Sequence, residues 1–196
     1  LSTLTSQNGK TLQVLNCWWE FQSRARDARK LDIPSIQSIL GNCTELKELN
    51  FWNGVISEDI SYNHGWLQLI YPDNIDYLVN NLSTNIEKFS VCESDFNDEH
   101  IKILVGRCTK IKELRFAFLI ISNDSVTHII DHLKPTLEKL DLANIDIDYQ
   151  KMVELKLMPN LKSLDCLCYR SEILHQLREQ LSDVSVNGYP PMATIC

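Results

Sequence analysis

The chain carries five histidines, seven cysteines and 26 acidic residues, so catalysis and metal binding are the first chemistries to test. His128 and His132 stand at i and i+4 of an expected helix with Asp131 between them, which is close to a metal spacing. No glutamate occupies the position a zinc protease requires and no third ligand is evident, so a solvated helix face explains the pair better. Cys166 and Cys168 flank one residue and share a strand face, but no second pair with histidines follows at ligand spacing. The remaining histidines, His64, His100 and His175, are scattered. There is neither a phosphate-cradling glycine loop nor a G-x-S-x-G elbow. The chain is therefore read as a non-enzyme with no catalytic residue, no metal site and no cofactor.

Composition narrows the partner classes. Hydrophobic residues make up 44% and charged residues 23% of the 196, the mixture of a chain that buries a core. No apolar run approaches the roughly 18 residues of a membrane span. With a net charge of -7 and no Lys/Arg-rich block, nucleic acid is a poor ligand, because phosphate contacts need clustered cations. Seven cysteines, an odd count without C-x-x-C spacing, read as small buried apolar residues in a reducing compartment. Three glycosylation tripeptides, at Asn42, Asn81 and Asn123, carry weight only in a secreted chain. The expected location is cytoplasmic and/or nuclear, with no membrane partner.

What positions side chains in this protein is a repeated phrase with apolar residues at positions 1, 4 and 6. It reads Leu12-Leu15-Cys17, Leu46-Leu49-Phe51, Ile86-Phe89-Val91, Ile111-Leu114-Phe116, Leu137-Leu140-Leu142 and Leu161-Leu164-Cys166. A weaker seventh copy is Leu181-Val184-Val186. From Ile86 onward the phrase returns roughly every 25 residues, the period of a leucine-rich repeat solenoid. Positions 4 and 6 share one face of a strand. Between phrases the spacing turns helical, as in Ile101, Leu104 and Val105, with Asn97 or Asp98 as N-cap and Gly106 at the helix end. Ser122 to Ser125 opens the next helix and Pro135 stops it. Further helices are expected over 32–40, 73–82, 148–157 and 171–181. The fold expected is α/β: a right-handed strand–helix superhelix of six to seven repeats, with a parallel sheet on the concave face and helices on the convex face.

The repeat domain is expected to span 1–188. The first two intervals are long, placing insertions near 18–30 and 52–72. The first holds a short basic stretch, Arg24 to Lys30, and the second holds the turn signals Asn53-Gly54 and Tyr71-Pro72. Both leave the C-terminal end of a strand, and they are either part of a binding rim or tolerated loops. The opening residues, Leu1 to Leu12, resemble the end of a repeat, so the chain is read as the C-terminal part of a longer protein. The tail, 189–196, ends the periodicity and contains Pro190-Pro191.

The units resemble the cysteine-containing class of leucine-rich repeats. The resemblance rests on the link and cap Val55-Ile56-Ser57-Glu58-Asp59 and Leu119-Ile120-Ile121-Ser122-Asn123-Asp124. It rests too on the helix-end cysteines of Gly41-Asn42-Cys43-Thr44 and Gly106-Arg107-Cys108-Thr109. Repeats of this class are most familiar as the substrate-binding half of F-box proteins. The resemblance implies a substrate-recognition role in an SCF-type ubiquitin ligase, with the ligase adaptor and cullin reached through an F-box outside this chain. The alternative is a scaffold or regulator with the same repeats and no ligase, and an extracellular receptor is the weakest reading.

Positions 3, 5, 7 and 8 of the phrase are expected on the concave face. The residues expected to bind a protein substrate there are Trp18, Trp19, Asn50, Trp52, Arg115, Phe118, Asp141 and Asp165. Surface aromatics are over-represented among residues that dominate binding. The competing reading packs the tryptophans under the insertions, against Phe21 or Trp66. The position-5 ladder of Asn16, Asn50, Ser90, Arg115, Asp141 and Asp165 either suits a polar or basic segment or is simply solvated.

Overall fold

The computed structural model describes residues 11–19, 33–53, 72–92, 94–166 and 171–188. The expected insertions, apart from their strand ends, and the tail lie outside the described residues. Strands and helices alternate: β1 (Val14–Trp19), α1 (Ile33–Asn42), β2 (Glu48–Asn53), α2 (Pro72–Asn81), β3 (Lys88–Cys92), α3 (Asp98–Arg107) and β4 (Glu113–Ala117). They continue as α4 (Asn123–Leu133), β5 (Lys139–Ala143), α5 (Tyr149–Val153), β6 (Ser163–Asp165), α6 (Ser171–Gln180) and β7 (Ser185–Asn187). A 3-10 turn, Glu154–Leu157, extends α5.

The seven strands form one sheet in sequence order, and every neighbouring pair is parallel. Parallel neighbours need a crossover between them, and each crossover whose course is described contains one helix. The weak seventh copy of the phrase is a paired strand: Leu164 of β6 stands opposite Val186 of β7.

Helix starts follow local chemistry. Asn97 caps α3, its side chain accepting from the amides of Glu99 and His100, while the His100 ring accepts from the Asn97 amide at 3.1 Å. Ser122 caps α4 by accepting from Asp124. The expected stop at Gly106 falls inside α3, which runs to Arg107; the amide of Cys108 closes the last turn on the Leu104 carbonyl at 2.8 Å.

Positions 4 and 6 of the phrase point at the helices, and with the helix stripes they make one continuous core. Leu49, Phe89, Leu114, Phe116, Leu140 and Leu164 are all buried in it, beside Ile101, Leu104, Ile129 and Leu133 from the helices. Phe96, in the link between β3 and α3, joins neighbouring repeats: its ring centroid lies 5.8 Å from Phe89 and 6.3 Å from Phe116. Each fully buried side chain of this size is worth about 1.5–3 kcal/mol over leaving it in water. Among the described residues no helix is long and apolar enough to cross a membrane.

Two substitutions test this packing. Phe116→Ala removes a ring from the middle of the stack and is expected to cost about 3–5 kcal/mol, read from the urea midpoint. Gly188 follows β7 at a close approach: an added Cβ would stand 2.5 Å from Leu174 Cδ2 and 3.0 Å from the Cys166 carbonyl oxygen. Gly188→Ala is therefore expected to destabilise by about 1–3 kcal/mol in the same assay, since the carbonyl is backbone and cannot rotate away.

Candidate functional site

In-register pairing turns each phrase position into a row across the sheet. On the face opposite the helices, position 3 gives Glu48, Lys88, Glu113 and Lys139 on successive strands. Their signs alternate, and Lys88 lies 3.8 Å from Glu48 and 3.4 Å from Glu113, with Lys139 3.2 Å from Glu113. Position 2, at the strand entrance, carries a second row of opposite phase. Glu87 stands between Lys47 at 3.7 Å and Lys112 at 2.7 Å, and Glu138 meets Lys162 at 2.6 Å. The Lys112 ammonium holds the Glu87 carboxyl below its ordinary range, and Lys162 does the same for Glu138. Exposed pairs of this kind contribute about 0–1 kcal/mol each, yet they remove the repulsion that like residues would suffer in a row.

Position 5 behaves differently. The row runs Asn16, Asn50, Ser90, Arg115, Asp141, Asp165 and Asn187. Asn50 donates to Asn16 Oδ1 and, at 2.9 Å, to Glu48 Oε1, so it is tied into its surroundings. Ser90 is buried. Arg115 is exposed and, among the described residues, makes no ion pair within 4.0 Å. Asp141 and Asp165 face each other across β5 and β6. The Asp141 carboxylate accepts the Ala143 amide at 3.0 Å. Burial pushes its pKa up to about 6; the Ala143 amide opposes that shift, the neighbouring Asp165 charge adds to it, and Arg115 opposes it weakly.

The structure brings together Arg115, Phe118, Asp141 and Asp165 from the expected set. Phe118 follows β4 with φ of 54°, held by its amide donating to the Ala143 carbonyl at 3.1 Å. Asn144, at the matching place after β5, has φ of 55°. Asparagine visits this left-handed region readily, whereas an aromatic residue there stores about 1–3 kcal/mol of strain. Phe118 keeps 37% of its surface exposed, and Ile120, which sequence reasoning did not single out, keeps 94%.

Position 7 of the middle strands is a row of small residues. On β3 to β5 it holds Cys92, Ala117 and Ala143, which are in register and buried as a separate small cluster, so they offer no accessible surface. Trp18 pairs with Trp52, and Trp19 with Asn53, in the backbone register of β1 and β2. The side chains of Trp18, Trp19 and Trp52 lie outside the described residues, as do Phe21 and Trp66.

A third set of links joins the helix starts. His100 Nε2 lies 3.2 Å from Asp76 Oδ1 on the preceding helix. Because His100 Nδ1 accepts the Asn97 amide, Nε2 must carry the proton and donate to Asp76. Asp98 accepts from the Ser122 amide at 2.8 Å and from the Ser125 hydroxyl. Burial works against ionising Asp98, but those donors outweigh it and keep its carboxyl below the ordinary range. Asn123 and Asp148 exchange two hydrogen bonds one repeat further on. The side-chain amide of Asn123 is thus engaged in an exposed repeat-to-repeat contact.

Among the described residues no group of three or more His, Cys, Asp or Glu is placed to hold a metal. Cys43, Cys92, Cys108 and Cys166 are buried. Burial raises Cys43 and pushes Cys108 up to about 11, with Arg107 pulling slightly the other way. In comparisons with known proteins, no family model matches this chain and no curated protein does.

Two measurements follow. Iodoacetamide at pH 8 on the native chain is expected to leave these four cysteines unlabelled, while urea exposes them; rapid native labelling of Cys108 would contradict its burial. For Asp141 the folded pKa lies above the unfolded value near 3.9, so its own contribution to stability is expected to decline as pH rises from about 4 to 6, opposite in sign to that of the depressed Glu87, Asp98 and Glu138. Asp141→Asn, which keeps an acceptor for the Ala143 amide, is expected to flatten that slope and stabilise by about 1–3 kcal/mol at pH 7, read from urea midpoints across pH.

Proposed function

We propose that this chain is a protein-recognition module of the leucine-rich repeat class, with its sheet as the concave wall and its helices as the convex one. Within that class it is the substrate-recognition region of an F-box subunit of an SCF-type ubiquitin ligase, working in the cytoplasm and/or nucleus. The observation that carries the recognition role is the contrast between rows. Two charged rows of the sheet are neutralised within the chain, whereas Arg115, Asp141 and Asp165 carry no such pairing beside the exposed Phe118. A surface of this kind is open to another protein's charges. Strand–helix alternation and sequential parallel order support the repeat class. The ubiquitin role is supported by the resemblance of the repeats alone, and the substrate is a protein held on the sheet face.

Affinity capture of the full-length protein from cells, with mass spectrometry of co-purified partners, tests both levels. The ligase adaptor and cullin are expected to be recovered with wild type and with Arg115→Glu. Proteins stabilised by proteasome inhibition are expected to be lost from Arg115→Glu by at least tenfold. A folded bait that recovers neither adaptor nor cullin rules out the ligase role and leaves a scaffold that uses the same surface.

A further inference from the structure

The thiols at Cys43, Cys92, Cys108 and Cys166 are buried, and among the described residues no third ligand joins His128 and His132. The sheet face around β4 to β6 carries the argument furthest, because its charges and its apolar residues are arranged for a specific kind of occupant.

We infer that this face binds an extended segment of a partner protein, with a lysine or arginine of that segment seated between Asp141 and Asp165 and an apolar side chain of it resting on Phe118 and Ile120. The inference rests on the recognition reading above and adds the chemistry of the ligand. Adjacent strands stand about 4.8 Å apart, so in-register Asp141 and Asp165 present their carboxylates within reach of one ammonium or guanidinium. Among the described residues neither makes an ion pair, although every lysine in the neighbouring position-3 row does. Phe118 is fixed beside them, since its amide is bonded to the carbonyl of Ala143, the residue whose own amide caps Asp141. Phe118 follows Arg115 by three residues, roughly 10 Å along the strand direction, so one extended segment can span the ligand cation and the apolar contact.

The electrostatics point the same way. The groups facing Asp141 are Asp165 from β6, Arg115 from β4, and the Ala143 amide and Lys139 from its own strand, with Lys139 already engaged by Glu113. Arg115 only partly offsets two carboxylates, leaving an acidic spot with one cation at its edge. An incoming cation relieves the repulsion between Asp141 and Asp165, so it binds their ionised form and holds Asp141 deprotonated. Arg115 then faces a carboxylate or carbonyl further along the same segment. An acidic occupant would meet both aspartates and is excluded by the same charges.

The test is selection of a displayed library of random 12-residue peptides on the full chain, followed by titration of synthetic copies of the enriched sequences. Enriched peptides are expected to share a Lys or Arg with an apolar residue two or three positions away. Their affinity is expected to fall at least tenfold in the Asp141→Asn, Asp165→Asn double variant and in Phe118→Asn, which keeps the left-handed backbone comfortable. Lys110→Ala, in the turn before β4, is expected to change nothing, and affinity is expected to weaken as pH falls from 7 to 5. Thermal melts of each variant separate lost binding from lost folding. Enriched peptides without a cation, or peptides whose binding is indifferent to the double variant in a folded chain, would overturn the inference while leaving a protein-binding surface in place. A library that yields no binder also overturns it, because an extended segment is then not the occupant; the wider reading is decided separately by what co-purifies from cells.

Discussion

In-register parallel pairing is the constraint from which the rest of this molecule follows. Every strand meets its neighbour with the same phrase position opposite itself, from Leu15 beside Leu49 to Leu164 beside Val186. For apolar positions this is favourable, because like packs on like and the helices close over the row. No single unit could achieve it, since one short strand and one helix leave half of their apolar surface open. Stability is therefore shared between neighbours, and the Phe89–Phe96–Phe116 ring contacts are one place where two repeats meet.

The same constraint is a problem for charged positions, because a charge in register with itself is repelled on both sides. The chain solves it by exchanging sign at each repeat. Lys47-Glu48, Glu87-Lys88, Lys112-Glu113 and Glu138-Lys139 alternate along the strand and across it, so the position-3 row is a continuous ion ladder and the position-2 row is paired in two stretches. A slip of one strand by one residue would set like charges together in both ladders as well as turn the core outward. Asp141 and Asp165 break the pattern, and burial together with their mutual repulsion raises Asp141. The other two rows are neutralised by ion pairs, whereas here Arg115 offsets Asp141 only in part.

The two left-handed residues set the edge of that surface. Asn144 occupies its conformation at little cost, whereas Phe118 adopts the same backbone with an aromatic side chain and is held there by the Ala143 carbonyl. The turns after β4 and β5 thus share a backbone shape, and the residue placed on it decides whether the edge there is polar or apolar. On the far side, the helix starts are stitched repeat to repeat through His100 and Asp76, Asp98 and Ser122, and Asn123 and Asp148. These links keep the helix wall in step with the sheet.

Most of the architecture was legible from the phrase itself. Period-2 spacing within Ile111-Leu114-Phe116 and helical spacing within Ile101-Leu104-Val105 are enforced by backbone geometry, so strand and helix types could be read directly, and even the weak Leu181-Val184-Val186 copy is a strand. Helix ends were less legible: Gly106 looked like a stop, but the Leu104 carbonyl still had a donor waiting in Cys108, and hydrogen-bond closure rather than residue type set the boundary. The face of each residue could be read from alternation, yet its exposure could not. Cys92, Ala117 and Ala143 lie on the open face by parity and are nonetheless buried, because small residues in register are covered by what surrounds them. The sequence alone determined the order of elements, the core positions and the candidates Arg115, Phe118, Asp141 and Asp165. Only the tertiary structure decided that two of the three charged rows are neutralised and one is not, because pairing depends on which strands become neighbours and in what register.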